Sequence, residues 1–292
     1  MDDMTLVETF DRAKKKSENG DINVGYIIGG NTFYSYLTKE EWEQFKSEMP
    51  SAFSGEYEKA GGSEMKEYVR NGTEYPPKMA SYASSSRFMY ELGRDIPEFE
   101  FEKKLPTKLG RGKANLDGYI KAKNAFVEAK CHEIYSKPSC QLKQPHIDII
   151  NYLVGVVDKF AYENNTFRWD GESIGNFDMK QMLCHLSGIA NERLDKGGYE
   201  VNFIYLVYKP TGSLLDNIEK NSDRQKISGK YEEEISTLTK KIGEDGFRSI
   251  YLGILQHFNN GRKTGNELDK LAEGFHFSVC SQDDFKSQIE KL

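Results

Sequence analysis

The chain has 292 residues and a net charge of −6 at pH 7, from 46 acidic and 40 basic side chains. A hydrophobic fraction of 37% and an aromatic fraction of 12% predict a packed core and exclude a disordered chain. No apolar run reaches the roughly 18 residues of a transmembrane helix, and the acidic N-terminus lacks the apolar segment of a signal peptide, so no membrane partner is expected.

The cysteines are scattered and form no CxxC pair: Cys131, Cys140, Cys184 and Cys280. This spacing argues against a zinc ribbon and against a disulfide scaffold. It is typical of a reducing compartment, and we expect a cytoplasmic protein.

Residues 1–75 are predicted to form a mainly helical N-terminal addition. Thr38 and Glu41 fit a capping box that starts a helix ending near Pro50. A second, short helix is predicted over Glu64–Val69, followed by a loop over Asn71–Pro77.

A helix with a serine-rich start is predicted after the loop. It ends at Gly93, since glycine is typical of a helix end. On this helix, Arg87 and Glu91 are four residues apart, so they share a face and can form a surface ion pair. The serines and Lys78 are suited to phosphate contacts.

Three apolar runs then predict a meander of strands over Phe99–Leu105, Asn115–Ile120 and Ala125–His132. Side chains alternate between the faces of a strand, so Glu128 and Lys130 share a face, with Asp117 on the neighbouring strand. Charges buried in a sheet need a partner or a metal, and two carboxylates suit Mg²⁺. The alternative is an ordinary ion pair on two surface strands.

Later segments predict an amphipathic helix over Met179–Leu194 and a strong strand over Val201–Tyr208. Gln181 and His185 lie one turn apart on that helix. His185 either positions a phosphate or carries a proton, or it is a partly buried helix residue without a chemical role. A polar connection is predicted over Asn164–Asn176. Residues 213–292 are predicted to be mainly helical and packed on the core, with a last strand over Phe275–Cys280.

Asp117, ten intervening residues, and then Glu128-Ala129-Lys130 resemble the active-site pattern of the PD-(D/E)XK nuclease superfamily, in an uncharacterised bacterial branch. Leu116 stands where this superfamily commonly has proline. The resemblance implies a restriction-endonuclease-like αβββαβ core within residues 76–212, an α/β fold with a mixed central sheet flanked by helices.

The resemblance also implies a function, a Mg²⁺-dependent nuclease (with Mn²⁺ as a substitute) that hydrolyses the phosphodiester bonds of DNA. Asp117, Glu128 and the main-chain carbonyl of Ala129 would hold the metal, and Lys130 would position the attacking water. Glu91 would be a further acidic ligand and Gln181 an orienting residue.

Other readings remain open for the same fold. One is a non-catalytic nucleic-acid-binding or interaction module, and another is an RNA nuclease. Enzymes of this fold that cut both strands often pair, so a homodimer is possible. A basic stretch over Lys103–Lys113 is either a phosphate-binding strip or a solvated loop.

Overall fold

A five-stranded mixed sheet with helices packed against it forms the centre of this α/β chain. The computed structural model describes residues 9–13, 25–33, 35–60, 62–110, 112–131, 133–135, 141–175 and 177–292.

Twelve strands are present in them: β1 (Tyr26–Ile28), β2 (Asn31–Phe33), β3 (Tyr68–Arg70), β4 (Thr73–Tyr75), β5 (Phe99–Pro106), β6 (Lys113–Ile120), β7 (Ala125–Lys130), β8 (Phe160–Glu163), β9 (Thr166–Trp169), β10 (Glu172–Ser173), β11 (Val201–Val207) and β12 (Phe275–Cys280). The longer helices are α1 (Lys39–Glu48), α2 (Ser51–Ala60), α3 (Ser85–Gly93), α4 (Gln144–Val156), α5 (Met179–Lys196), α6 (Gly212–Asp216), α7 (Asn221–Ser236), α8 (Gly243–Phe258), α9 (Gly265–Glu273) and α10 (Phe285–Lys291). A π-helical turn over Thr237–Ile242 connects α7 to α8.

The central sheet has the strand order β12-β11-β7-β6-β5. Strands β5, β6 and β7 form the predicted antiparallel meander. After the crossover that contains α5, strand β11 pairs in parallel with β7, and β12 pairs in parallel with β11. The predicted strands and the helix of this part of the chain are therefore confirmed as elements, with ends that differ by a few residues.

Each face of the sheet has its own apolar core. The N-terminal part and α3 cover one face, where Trp42 and Tyr57 belong to the same buried cluster as Val127 and Ile204. On the other face, α4, α5 and α8 pack on the sheet in a second cluster that includes Phe126. Both faces are thus shielded, which explains why β7 is buried along its whole length.

The outer edge of β5 is covered by α2. The Glu56 carboxylate accepts a hydrogen bond from the main-chain N–H of Phe101 at 2.7 Å. The Lys104 ammonium donates to the main-chain carbonyl of Lys59 at 3.3 Å. A strand at a sheet edge has unsatisfied main-chain groups, and here a helix supplies a partner for one of them, the Phe101 N–H.

The prediction of a mainly helical N-terminal part was incomplete. The capping box at Thr38 is present, with the Thr38 hydroxyl accepting from the Glu41 N–H at 3.1 Å and the Glu41 carboxylate accepting from the Thr38 N–H at 2.7 Å. However, the predicted helix at Glu64–Val69 and loop at Asn71–Pro77 were wrong, because β3 and β4 form a hairpin there.

Four short hairpin connections share one turn chemistry. Both turn residues have positive φ in each of them: Gly29-Gly30, Asn71-Gly72, Asn164-Asn165 and Asp170-Gly171. Glycine, asparagine and aspartate tolerate this conformation, and such two-residue turns match the twist of antiparallel strands. The prediction of a polar connection over Asn164–Asn176 was wrong, because two of these turns lie within it and join the short strands β8, β9 and β10.

The C-terminal part contains four of the longer helices and β12, and its apolar side chains belong to the two clusters that cover the sheet. Helix α7 and the π-helical turn after it bury apolar side chains that include Ile227 and Leu238. Among the described helices, none combines the length and apolarity needed to cross a bilayer. The division at residues 75/76 and 212/213 stays a prediction.

A glycine brings α5 close to the meander. A Cβ atom at Gly188 would lie 2.9 Å from the Cβ of Leu105 and 3.0 Å from the Cβ of Ala114. Neither of these atoms can rotate away, because each is fixed to the main chain of a strand. Gly188 therefore sets how near α5, which carries Gln181 and His185, can come to the sheet.

We expect Gly188→Ala to lower the free energy of unfolding by about 1–3 kcal/mol, since the added methyl group overpacks this contact. Gly155 is the matched control, because it also lies in a helix but has open space around its Cα. Gly155→Ala should be neutral or stabilise by up to about 1 kcal/mol through helix propensity. Urea unfolding of both variants measures the difference, and equal effects would contradict the close approach.

Candidate active site

A cavity of about 630 Å³ lies where strands β6 and β7 separate. Five carboxylates line it: Glu64, Glu102, Asp117, Glu128 and Glu133. Its size is typical of clefts that hold a small ligand. Four residues that the sequence predicts for the site line this cavity: Asp117, Glu128, Lys130 and Gln181.

Asp117 occupies the opening between the two strands. The ladder between β6 and β7 ends at the pair Gly118 and Val127. One residue further, the Asp117 carboxylate accepts a hydrogen bond from the main-chain N–H of Ala129 at 2.8 Å. Since main-chain N–H groups of a strand lie in the plane of the sheet, the carboxylate lies between the strands.

Strand β6 also rotates at Asp117. Leu116 packs in the core beneath α5, whereas Ile120 packs in the core beneath α3. Residues four apart in a regular strand share one face, so the strand must turn over between these two positions. This turn explains how the Asp117 side chain enters the plane of the sheet.

The main-chain carbonyl of Ala129 faces the same opening. The carbonyl of Lys130 accepts from the N–H of Tyr208, and so it points towards β11. Successive residues of a strand point their main-chain groups to opposite sides, and the N–H of Ala129 indeed faces β6. Its carbonyl therefore projects towards Asp117, where strand pairing has ended.

Glu128 and Lys130 share the face of β7 that lies beneath α5. The Lys130 ammonium is 2.7 Å from Glu128 Oε1 and 2.6 Å from Gln181 Oε1. His185 Nε2 lies 3.1 Å from Glu128 Oε2. The alternation of β7 and the one-turn spacing of Gln181 and His185 thus bring the four side chains together, with Gln181 at the partly exposed side of the cluster.

The pKa values of the two central carboxyls, Asp117 and Glu128, are shifted in opposite directions. Burial opposes ionisation of Glu128, but the charges of Lys130 and His185 outweigh it and lower the pKa of Glu128 to about 2. Burial and the charges of Glu128 and Glu102 raise the pKa of Asp117 well above its usual range, although Asp117 is only half-buried. Asp117 is therefore the carboxyl whose ionised form is repelled by its neighbours, Glu128 and Glu102.

Lys130 is held in its charged form. Burial favours the neutral amine, but the carboxylates of Glu128, Glu133 and Asp117 outweigh burial and raise the pKa of Lys130 above its usual range. Gln181 offers its side-chain carbonyl oxygen to the same ammonium. In this arrangement Lys130 is a hydrogen-bond donor at neutral pH.

Glu102 is a site residue that the sequence reading missed. It lies inside β5 with a left-handed backbone of φ +55°, which is costly for a residue with a side chain. Its buried carboxylate accepts hydrogen bonds from the Ser86 hydroxyl at 3.1 Å and from the Asn115 amide. In the ladder between β5 and β6, Glu102 and Asp117 fall between the pairs Phe101–Gly118 and Lys103–Leu116, so strand register and not a local pattern brings them together.

Glu91 lies apart from this cluster. It is not among the residues that line the cavity, and its half-exposed carboxylate binds the Arg87 guanidinium at 2.8 Å. This is the surface pair that the sequence also allowed. Instead of Glu91, the N-terminal end of α3 reaches the cavity, through Ser84, Ser85 and Ser86.

Lys78 lines the cavity, where it binds Glu64 at 2.9 Å. The described residues of the basic stretch Lys103–Lys113 do not line it. Lys103 instead binds Glu100 at 2.6 Å and lies over the Tyr119 ring. His132 lies outside the described residues.

The donor set suits a divalent cation with oxygen ligands. Within the described ranges, no three His, Cys, Asp or Glu side chains are grouped closely enough to hold a metal ion. Glu128 is turned towards Lys130 and His185. Nevertheless, carboxylate oxygens from Asp117 and Glu128 and the carbonyl of Ala129 are the ligands that Mg²⁺ prefers, and a cation would relieve the repulsion at Asp117.

Comparisons with protein-family models, curated proteins and solved structures find no match to this chain. The resemblance to the PD-(D/E)XK superfamily therefore stays a prediction.

We expect Asp117→Asn to raise the free energy of unfolding by about 0.5–2 kcal/mol at pH 8 in EDTA. The amide keeps an acceptor for the Ala129 N–H and removes a repelled charge. Because folding raises the pKa of Asp117, its ionisation costs stability as the pH rises, so the gain should disappear below the ordinary value of 3.8. Urea unfolding across this pH range measures it.

Glu128→Gln is the matched control and should destabilise by about 3–5 kcal/mol, since it leaves Lys130 buried without its counter-ion. The pKa of Glu128 is lowered from 4.5 to about 2. Its ion pair therefore stabilises the fold above pH 4.5, and this contribution is lost as the pH falls towards 2. If both substitutions changed the free energy of unfolding in the same direction, the opposite pKa shifts assigned to Asp117 and Glu128 would be contradicted.

Proposed function

We propose that this chain is a divalent-metal-dependent nuclease that hydrolyses phosphodiester bonds of DNA. The observation that carries the proposal is the convergence of Asp117, the carbonyl of Ala129, Glu128 and Lys130 at one opened strand pair. An ordinary surface ion pair would need neither a cavity nor an interrupted ladder.

Each residue has a role that follows from its position. Asp117, Glu128 and the Ala129 carbonyl would hold Mg²⁺ or Mn²⁺. When bound there, the metal would lower the pKa of a coordinated water and polarise a phosphate oxygen. Lys130, which carries a proton in this arrangement, would donate a hydrogen bond to the attacking water or to the phosphate and offset its growing negative charge.

The neighbouring residues would keep this geometry fixed. Gln181 binds the Lys130 ammonium, and so it orients the donor. His185 contacts the second oxygen of Glu128 from the same helix. Glu102 and Asp117 fall between the same two pairs of the ladder between β5 and β6, and Glu102 supplies a further negative charge on the α3 side of the cavity.

The chain order also supports a restriction-endonuclease-like core. From α3 to β11 the structure has a helix, three antiparallel strands, a helix and a parallel strand, once the excursion through α4 and β8–β10 is set aside. The sequence resemblance implies the same order. It places the carboxylates on the second and third strands, as they are here.

A non-catalytic nucleic-acid-binding module is the second candidate. The observation that favours it is the 2.7 Å ion pair of Glu128 with Lys130, which gives Glu128 a counter-charge without a metal. In that case the pair would be structural. Metal binding and cleavage separate the two candidates.

Cleavage should depend on the metal and on three side chains. We expect Asp117→Ala, Glu128→Ala and Lys130→Ala each to lower the cleavage rate by about 10²–10³-fold, since each removes transition-state stabilisation. The assay compares supercoiled plasmid, linear duplex, single-stranded DNA and RNA in Mg²⁺, Mn²⁺ or EDTA. RNA cleavage alone would favour the RNA nuclease.

Glu91→Ala is the matched control for this assay. The structure places Glu91 outside the cavity, so its removal should leave the rate unchanged, whereas the sequence prediction of a fourth ligand requires a loss. Unchanged rates in all three site variants would refute the nuclease.

Metal binding is expected to follow the same residues. Calorimetry with Mg²⁺ and Mn²⁺ should detect binding to the wild-type chain and to Glu91→Ala, but not to the double variant Asp117→Ala/Glu128→Ala. If the wild-type chain binds neither metal, even with a DNA oligonucleotide present, the carboxylates are structural and the binding module is favoured.

A further inference from the structure

The hairpin of β3 and β4 forms an aromatic wall of the same cavity. Tyr68 and Tyr75 are directly opposite in its register, and their rings stack with centroids 5.5 Å apart and planes 17° apart. Both side chains line the cavity and remain partly exposed. Phe33 of the first hairpin packs against Tyr75 at 5.5 Å and fixes this ring from the side.

A basic side chain stands on the same wall. Alternation puts Arg70 on the hairpin face of Tyr68 and Tyr75, and Arg70 also lines the cavity. Among the described residues, the Arg70 guanidinium has no hydrogen-bond or ion-pair partner, in contrast to Lys78, which binds Glu64. A cation without a carboxylate partner is available to bind a phosphate.

Stabilisation of the hairpin alone does not explain this arrangement. A cross-strand aromatic pair does stabilise a two-stranded ribbon. However, the opposite face of the hairpin carries Val69, which is 67% exposed. The aromatic face is thus turned to a cavity full of charges while an aliphatic side chain faces solvent, the reverse of what burial of apolar surface favours.

The chemistry of this wall fits nucleotides whose bases are not paired. Tyrosine rings stack on the flat faces of bases, and arginine binds the backbone between them, without regard to sequence. In a duplex those faces are covered by neighbouring bases. The volume of about 630 Å³ likewise suits a few groups of one strand and not two paired strands.

We infer that the face formed by Tyr68, Arg70 and Tyr75 binds unpaired nucleotides, so that the substrate of this site is single-stranded DNA or an unpaired DNA end. The statement about substrate rests on the proposed nuclease function. The statement about binding stands by itself, because the wall contains none of the proposed metal ligands.

Fluorescence anisotropy of the full chain in EDTA tests the binding without cleavage. The probes are a labelled single-stranded oligonucleotide and a blunt duplex of the same length and label. We expect tighter binding of the single strand. Tyr68→Ala/Tyr75→Ala should weaken it by about ten- to a hundredfold, which is the usual effect of losing a stacked base.

Two variants control for the fold of the hairpin. Tyr68→Phe/Tyr75→Phe keeps the rings and should retain the affinity, since stacking needs no hydroxyl. Val69→Ala changes the opposite face of the same strand and should also bind like the wild type. Equal or tighter binding of the blunt duplex, no binding of either probe, or unchanged binding after removal of both rings would each overturn the inference.

Failure of this inference is distinguishable from failure of the proposed function. If the single strand binds through the tyrosines but no nucleic acid is cleaved in Mg²⁺ or Mn²⁺, the wall is real and the nuclease is wrong. If duplex is cleaved through Asp117 and Glu128 without any preference for single strands, the nuclease stands and the inference is wrong. Preference for single-stranded RNA over DNA would also overturn the inference.

Discussion

The hydrogen bond from the Ala129 N–H to the Asp117 carboxylate is the interaction on which the cavity depends. A sheet can open between two strands only if the main-chain groups left behind find other partners. Here β6 leaves the ladder after Gly118, and its Asp117 side chain takes the place of a main-chain acceptor for the Ala129 N–H. This bond is 2.8 Å long. The opening lets the Ala129 carbonyl face the cavity, and it leaves the side chains of β7 in reach of α5.

The charges of the opening are not in balance. Lys130 neutralises Glu128 at 2.7 Å, while Asp117 faces Glu128 and Glu102 without an equivalent partner. A sequence selected only for stability would not keep such a group, since like charges in a partly buried site oppose folding. Unfavourable charge placement at a concave site is common where binding or chemistry is selected, and the left-handed backbone of Glu102 adds local strain at the same place.

The strands and helices of the centre could be predicted because their patterns are local. Alternation in β7 gives the common face of Glu128 and Lys130, and a spacing of one turn gives Gln181 and His185. The role of Glu102 could not be found this way, because it depends on strand register and on a backbone conformation that no apolar pattern encodes. The short hairpins had a readable signal in their Gly, Asn and Asp turns, yet strands of three or four residues are too short for alternation to be visible.

The contact of α2 with β5 has a consequence for how this protein behaves in dilute solution. Strand β5 ends the sheet, and the Glu56 carboxylate and the Lys59 carbonyl occupy part of its outer edge. A shortened chain that began after α2 would present this edge to other molecules, together with the apolar surface that α2 now covers through Tyr57. Exposed strand edges recruit further strands, so the shortened chain should self-associate and precipitate. By covering this edge, α2 keeps the sheet from pairing with other molecules and so maintains the solubility of the chain.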